Sequence, residues 1–310
     1  MYNDIFKQKI YAIIVTNDCN LRCRYCYSGN SIRKEKMSKI TAQKVITHII
    51  KDAQFLKLNK IHIIFEGNEP LLNQNILIFL VKSLENECLK YKLVVEFSIF
   101  SNLQAMTLSI LKFIVEHEIS IHSSLDGPEW LHDSLRGKGS FQKVTSWINL
   151  FKKVNINLSV SAVVVKQSLN YVQDILKVYK GLGLKSINIR ALHSLGFAKK
   201  SWKELGYSSK EFIDFWKKAV KYCLHLSLNG KSLYENKAIF IYNKIVNNQE
   251  KTFLFSPPCN GVSRQLCYGP EGNIYTCDEG RGRGPVFKIG NVEKGIINQK
   301  QSAFYKLIKN

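Results

Sequence analysis

Short β-rich runs and amphipathic helical stretches take turns along the first 230 residues, and that rhythm leaves few folds open. The strand candidates are YAIIVT (11–16), KIHIIFE (60–66), KLVVEFSIF (92–100), ISIHSSL (119–125), INLSVSAVVV (156–165) and KSINIRAL (185–192). Helical patterns lie between them near 40–57, 74–90, 107–117, 141–153 and 169–181. The strand candidates read as near-continuous apolar runs, as two-sided burial in a parallel sheet requires. Strand–helix alternation implies right-handed βαβ units. Six units predict an α/β fold of the partial (β/α)6 TIM-type barrel kind; the pattern also fits a doubly wound sheet.

The rhythm changes after a helix expected near 209–229. Residues 231–255 read as a helical bridge, and from Ser256 onward glycine, proline and cysteine become frequent. The segment GPEGNIYTC reads as a turn feeding a short strand. The expected organisation is a core over 1–230, the bridge over 231–255 and a C-terminal region over 256–310.

Of the 310 residues 45 are Lys or Arg and 24 are Asp or Glu, a net charge of +21. Nucleic acid or an anionic membrane surface suits such a charge. The lysines are scattered through predicted helices and strands rather than gathered in a run, and no RNA-binding motif accompanies them. The charge reads first as a general lysine bias of the proteome; among functional readings an acidic peptide partner is favoured over nucleic acid. No apolar run reaches the roughly 20 residues needed to span a bilayer, and the N-terminus MYNDIFKQKI has no long apolar core of a signal peptide. A cytoplasmic, membrane-independent protein is expected.

Eight cysteines occur, at 19, 23, 26, 88, 223, 259, 267 and 277. Cytosolic thiols stay reduced, so clustered cysteines there point to metal or catalysis rather than disulfides. Cys88 and Cys223 stand alone in helical patterns and read as buried thiols. Cys19, Cys23 and Cys26 fall on the loop after the first strand, with spacing C-x3-C-x2-C. In parallel α/β folds the functional site lies at the strands' C-terminal ends. Three thiolates on one loop can each hold one iron of a cubane and leave the fourth iron open. Zinc would want four tetrahedral ligands, and no fourth cysteine or histidine is near in sequence.

This spacing after a first strand, with Tyr25 at the aromatic position, resembles the radical SAM superfamily. The resemblance implies a [4Fe–4S] cluster whose open iron binds S-adenosylmethionine (SAM), and reductive cleavage of SAM to methionine and a 5′-deoxyadenosyl radical. It also implies an electron donor such as flavodoxin or ferredoxin. Further motifs extend the likeness. FEGNEP, with Gly67, Asn68 and Glu69, resembles the GGEP turn that binds the SAM amino group; Asn68 departs from the usual glycine. Asn tolerates positive φ better than most residues. Ser98, Ser101 and Asn102 of SIFSN resemble strand-end contacts to the ribose and methionine parts of SAM. SSLDGPEWLHDSLRG resembles a signature of peptide-modifying members, in which Ser124 and Arg136 would hold the SAM carboxylate. Arginine suits planar bidentate carboxylate recognition. Asp126 equally reads as the acceptor of a turn.

CNGVSRQLCYGPEGNIYTCDEGRG followed by FKIGNV resembles the opening of a SPASM domain, and the whole chain is similar to the radical SAM maturases of the His-Xaa-Ser peptide system. On that likeness residues 1–230 are the radical SAM core and 256–310 a short, incomplete SPASM-like region. Cys259 and Cys277 then fall on the first two SPASM cysteines, the ligands of an auxiliary [4Fe–4S] cluster, while Cys267 reads as packing. No cysteine follows Cys277, although a complete SPASM domain carries several more. The implied function is modification, by crosslinking, of a ribosomally made precursor peptide. The alternatives are a sulfatase-activating type of maturase and a non-catalytic SAM- and cluster-binding relative.

Overall fold

The computed structural model describes residues 8–29, 34–230, 233–247 and 261–296 of the 310. Among these, eleven strands make one sheet: β1 (Gln8–Ile13), β2 (Lys60–Phe65), β3 (Val94–Phe100), β4 (Ser120–Ser124), β5 (Leu158–Val163), β6 (Ser186–Arg190), β7 (Tyr234–Glu235), β8 (Gln265–Tyr268), β9 (Asn273–Tyr275), β10 (Lys288–Asn291) and β11 (Gly295–Ile296). The helices between them are α1 (Lys39–Phe55), α2 (Gln74–Lys90), α3 (Leu108–Glu116), α4 (Glu129–Arg136), α5 (Ser140–Lys153), α6 (Val172–Gly181), α7 (Gly196–Lys200), α8 (Trp202–Leu205), α9 (Ser209–Leu228), α10 (Asn236–Val246) and α11 (Asp278–Arg281).

The spatial order is β11-β10-β9-β8-β1-β2-β3-β4-β5-β6-β7, with β1 to β7 parallel. This is the open sheet of a partial TIM-type barrel. The register brings Ile13 beside Phe65, Phe65 beside Ile99, Phe100 beside His122, Ser124 beside Ser161 and Val163 beside Arg190. The loops carrying the motifs therefore leave the sheet along one rim.

The two faces of the sheet differ. Residues of one parity, such as Ile61, Ile63, Phe65, Ile121, Ile187 and Ile189, are buried with Val45, Ile49, Leu77 and Leu80 of the covering helices. Those of the other parity include His62, Ser98, Ser120, His122, Ser124, Ser159, Ser161, Asn188 and Arg190. The expected two-sided apolar burial does not hold: the sheet curls, and its inner face lines a polar lumen.

Local sequence explains the helix starts. Ser38 and Thr107 accept from the backbone N–H groups of Thr41 and Ile110, and Ser208 with Glu211 forms a capping box on α9. The expected boundary near 230 does not interrupt the sheet. β7 adds to β6, and β8 pairs in parallel with β1, so the C-terminal strands extend the same sheet from its other edge. Within the expected bridge, the described residues form β7 and α10.

Candidate active site

The cysteine loop is held by backbone and side-chain contacts on several sides. Asp18 Oδ1 accepts from the Cys19 N–H at 2.9 Å, and the Arg24 N–H donates to the Leu135 carbonyl at 2.8 Å. The Cys26 N–H donates to the Cys23 carbonyl at 3.0 Å, closing a turn between the two cysteines. Cys19 Sγ accepts from the Leu21 N–H at 3.4 Å and from Asn102 Nδ2 at 3.7 Å. Such hydrogen bonds to sulfur tune an iron–sulfur cluster. Burial pushes the Cys19 thiol up to about 11 and also raises Cys23, with the neighbouring cysteines adding to the rise at each. Free thiolates are therefore disfavoured here, and a bound cation reverses that preference.

All three cysteines line one cavity of about 260 Å³ together with Tyr25, Gly67, Asn68, Asn102, Ser124 and Arg136. No three His, Cys, Asp or Glu side chains among the described residues converge on a point that one metal ion could occupy. Cysteines that each bind a different iron need no such convergence. The donor set thus fits a cubane held by three thiolates.

Asp126 organises the wall behind the cavity. Its fully buried carboxylate accepts from Tyr25 OH at 2.5 Å, Arg136 Nε at 2.7 Å and the Val163 N–H at 3.0 Å. Burial alone would raise this carboxyl; Arg136, His132 and the donated hydrogen bonds outweigh it and hold the group below the usual range. Arg136 lies 5.2 Å from the Tyr25 ring centroid. The Asp126 N–H donates to His132 Nδ1 at 3.1 Å, which fixes the His132 proton on Nε2. Among the described residues no N–H of the DGP turn reaches this carboxylate, so the reading of Asp126 as a turn acceptor gives way to one in which it ties Tyr25, Arg136 and β5 together.

The GNEP turn is tight. Gly67 has φ +109, and a Cβ there would lie 2.6 Å from Ile14 Cγ2. Asn68 Nδ2 donates to the Asn17 carbonyl at 2.5 Å, joining the turn to the cysteine loop. Glu69 does not reach the cavity lining. It is fully buried and accepts from Asn102 N at 2.7 Å, Ser101 Oγ at 2.8 Å and Leu71 N at 3.1 Å. Burial pushes its carboxyl up to about 7 against those donors. Its structural work is to hold the Ser101–Asn102 turn, whose Asn102 faces the cysteines.

Ser98 is not brought to this cavity. It sits inside β3, 2.8 Å from His62 Nε2, and lines a second cavity of about 830 Å³ with His62, Glu96, Ser120 and His122. The stacked rings of Phe100 and His122, with centroids 4.3 Å apart, lie on the lumen face between Ser98 and the rim. Ser98 shares the parity of Asn102 but lies four residues lower, which places it at a different depth of the lumen.

Three residues that sequence reasoning passed over also line the upper cavity: Glu66, Arg190 and Asp278. Glu66 and Arg190 end or follow β2 and β6, so the strand-end rule applied to every strand would have found them. Burial, and then the Asp278 carboxylate, push Glu66 well above the usual range; burial also raises Asp278. Asp278 reaches the cavity because β8 docks on β1. Its neighbour Cys277 is half-buried and caps α11, accepting from the Gly280 N–H at 3.2 Å. Cys267 is fully buried in a small cluster with Ala12 and Ile14. Cys259 lies outside the described residues.

Residues 13–179 match the Radical SAM superfamily. An uncharacterised protein of Methanocaldococcus jannaschii is 30% identical over 216 residues, covering 68% of this chain and 71% of that protein. The radical SAM cyclopropyl synthase TigE of Paramaledivibacter caminithermalis is 24% identical over 94% of this chain, which spans 61% of TigE's length. The cysteine-type anaerobic sulfatase-maturating enzyme of Clostridium perfringens is 23% identical over 85% of this chain and 72% of its own. The solved structure of native anSMEcpe with bound AdoMet superposes with a TM-score of 0.79 at 20% identity, covering 96% of this chain and 80% of that one, a likeness of fold. Among the described residues no helix is long and apolar enough to cross a membrane.

Proposed function

From the premise that the chain belongs to the radical SAM superfamily, whose members use a [4Fe–4S] cluster and S-adenosylmethionine, we propose that it modifies a ribosomally made precursor peptide, by crosslinking, after hydrogen abstraction. Cys19, Cys23 and Cys26 would hold the cluster. When bound and reduced by a flavodoxin- or ferredoxin-type donor, it supplies the electron that splits SAM into methionine and a 5′-deoxyadenosyl radical. Arg136 and Ser124 would hold the SAM carboxylate, with Asp126 fixing the Arg136 guanidinium. The backbone of Gly67 and Asn68 would receive the amino group, and Asn102, held by Glu69, would meet the methionine moiety. Tyr25 packs against Arg136.

The observation that carries this reading is the single cavity lined together by the three cysteines, by Ser124 and Arg136, and by Arg190, Glu66 and Asp278. The three cysteines suit a cofactor, and Arg190 with the two carboxyls gives the same cavity ionisable groups that a peptide segment could meet. The His-Xaa-Ser likeness of the sequence supports a peptide substrate. The similarity to a sulfatase-maturating enzyme favours a second reading, maturation of a residue in a partner protein. A neighbouring short reading frame with His-Xaa-Ser repeats would support the first, and a neighbouring sulfatase the second. An auxiliary cluster on Cys277 and Cys259 belongs to this proposal as well.

The test is direct. Anaerobically reconstituted protein given dithionite and SAM is expected to yield 5′-deoxyadenosine. Replacing Cys19, Cys23 and Cys26 with Ala is expected to abolish the product. Undiminished 5′-deoxyadenosine from the triple variant would overturn the assignment.

A further inference from the structure

The segment that follows β6 makes contacts with the cysteine loop that the cofactor-binding motifs do not account for. Gly196 has φ +53, and a Cβ on it would lie 2.4 Å from the carbonyl oxygens of both Cys26 and Tyr27. Under about 3 Å no side chain fits without displacing backbone. From the other side Gly29, at φ +64, faces the Gly196 Cα, which would be 3.7 Å from an added Cβ. Two glycines thus allow two backbones to pack directly. The Phe197 N–H donates to the Cys26 carbonyl at 2.9 Å, and the Gly29 N–H reaches the same oxygen at 3.3 Å. Further along, Glu204 pairs with Arg24, inside the cysteine motif.

The segment is itself anchored. Ala198 and Leu205 are fully buried, and the Leu192 N–H donates to Tyr207 OH at 2.7 Å. Its opposite side forms cavity wall through His193, Leu195 and Phe197. One short stretch therefore touches the last cluster cysteine, grips the middle of the cysteine motif and forms part of the cavity wall.

We propose that residues 193–205 are a brace for the cysteine loop, with Gly196 the positioning residue that sets where Cys26 lies relative to Cys19 and Cys23. The inference rests on the radical SAM reading above. Cys19 is placed by Asp18, and Cys23 by the loop's bond to α4. Cys26 has its backbone carbonyl fixed from the β6 side. A side chain at Gly196 drives the brace away from the Cys26 and Tyr27 carbonyls, and shifts of about 1 Å in a reacting site cost up to about a hundred-fold in function.

The test compares the reconstituted full-length chain with Gly196→Ala and with Gly230→Ala. Gly230 has a similar left-handed backbone, φ +70, but no atom within 4 Å of an added Cβ, so it reports backbone strain alone. Gly196→Ala is expected to keep the parental iron content, to weaken SAM binding by about ten-fold or more, and to lose the parental change in the electron paramagnetic resonance spectrum of the reduced cluster on adding SAM. Gly230→Ala is expected to match the parent. Glu204→Gln removes the ion pair without strain and decides the matter should Gly196→Ala not fold; a weakening of about two- to three-fold is expected. Parental SAM affinity and spectra in Gly196→Ala and Glu204→Gln would overturn the brace, as would an equal loss in Gly230→Ala. A parent chain that takes up no iron would overturn the radical SAM reading instead.

Discussion

Replacing Asp126 with Ala removes the acceptor shared by Tyr25 OH, Arg136 Nε and the Val163 N–H, and leaves all three donors without it. Arg136 matters most. Its side chain is only 9% exposed although it lines the cavity, so water compensates its charge only in part. Removing one partner of a buried ion pair costs about 3–5 kcal/mol, because the other charge is stranded. Unfolding entropy of about 2 cal/mol/K per residue turns that into a fall in Tm of about 5–8 °C for a chain of 310 residues. Differential scanning fluorimetry on the metal-free protein measures it, and SAM affinity of the reconstituted protein is expected to fall in parallel. The double variant Asp126→Ala, Arg136→Met removes the stranded charge, so it is expected to be more stable than Asp126→Ala alone, a coupling of about 1–3 kcal/mol. The pH dependence has a definite sign. Asp126 is held below its ordinary range, so its stabilisation is present at neutral pH and disappears as pH falls through its folded value. The gap in Tm between parent and Asp126→Ala is therefore expected to close toward acid pH. A Tm within about 1 °C of the parent at pH 7, or a double variant no more stable than Asp126→Ala alone, would refute the stranded-charge argument.

Glu69 predicts the opposite pH trend. Its folded value of about 7 stands above the ordinary carboxyl value, so its contribution is complete below that ordinary value and is lost as pH rises through 7. The parent is expected to lose up to about 3 kcal/mol between pH 4.5 and 8 relative to Glu69→Gln; denaturation curves with the same pH slope in both proteins would sink the assignment. Iron analysis addresses the second pair of cysteines. With Cys267 packed against Ala12 and Ile14, Cys267→Ala is expected to leave iron unchanged; the parent is expected to hold about 4 to 8 iron per chain, and Cys277→Ala to remove whatever exceeds about 4, at four per cubane. A parental value of about 4 that ignores Cys277→Ala would mean that this region holds no cluster.

Local periodicity carried most of the fold. The helix expected over 74–90 is found as Gln74–Lys90, because its apolar spacing, with Leu77, Leu80, Val81, Leu84 and Cys88 buried, is written in the segment itself. The first strand is displaced, from an expected 11–16 to Gln8–Ile13. Beyond Ile13 the chain stays extended but leaves the β2 ladder: Ile14 N bonds the Tyr268 carbonyl, and Thr16 bridges to Lys36. No pattern inside 11–16 announces partners 20 and 250 residues away. The helix Glu129–Arg136 was hidden for a different reason. It is short, its apolar residues are only Trp130, Leu131 and Leu135, and it exists because its loop is pinned by Asp126 and Asp133.

The site divides along the same line. Cys19, Cys23 and Cys26 are close in sequence, and the chemistry of three thiols on one loop can be read before any fold is known. Asp126 could not be ranked that way, since Tyr25 lies 101 residues before it and Val163 lies 37 after it. The polar lumen was present all along as a period of two: Ser120, His122 and Ser124; Ser159 and Ser161; Ser186, Asn188 and Arg190. Aliphatic residues of the other parity, each facing the helices, made these runs look apolar throughout. Counted by parity, they predict a sheet with one dry face and one wet face, and a parallel sheet can keep a wet face only by curling around it. The same parity that makes Ser124 and Arg190 useful at the rim puts Ser98 deep in the lumen beside His62. Depth along the strand, set by register with neighbours rather than by parity, separates a cofactor contact from a lumen residue.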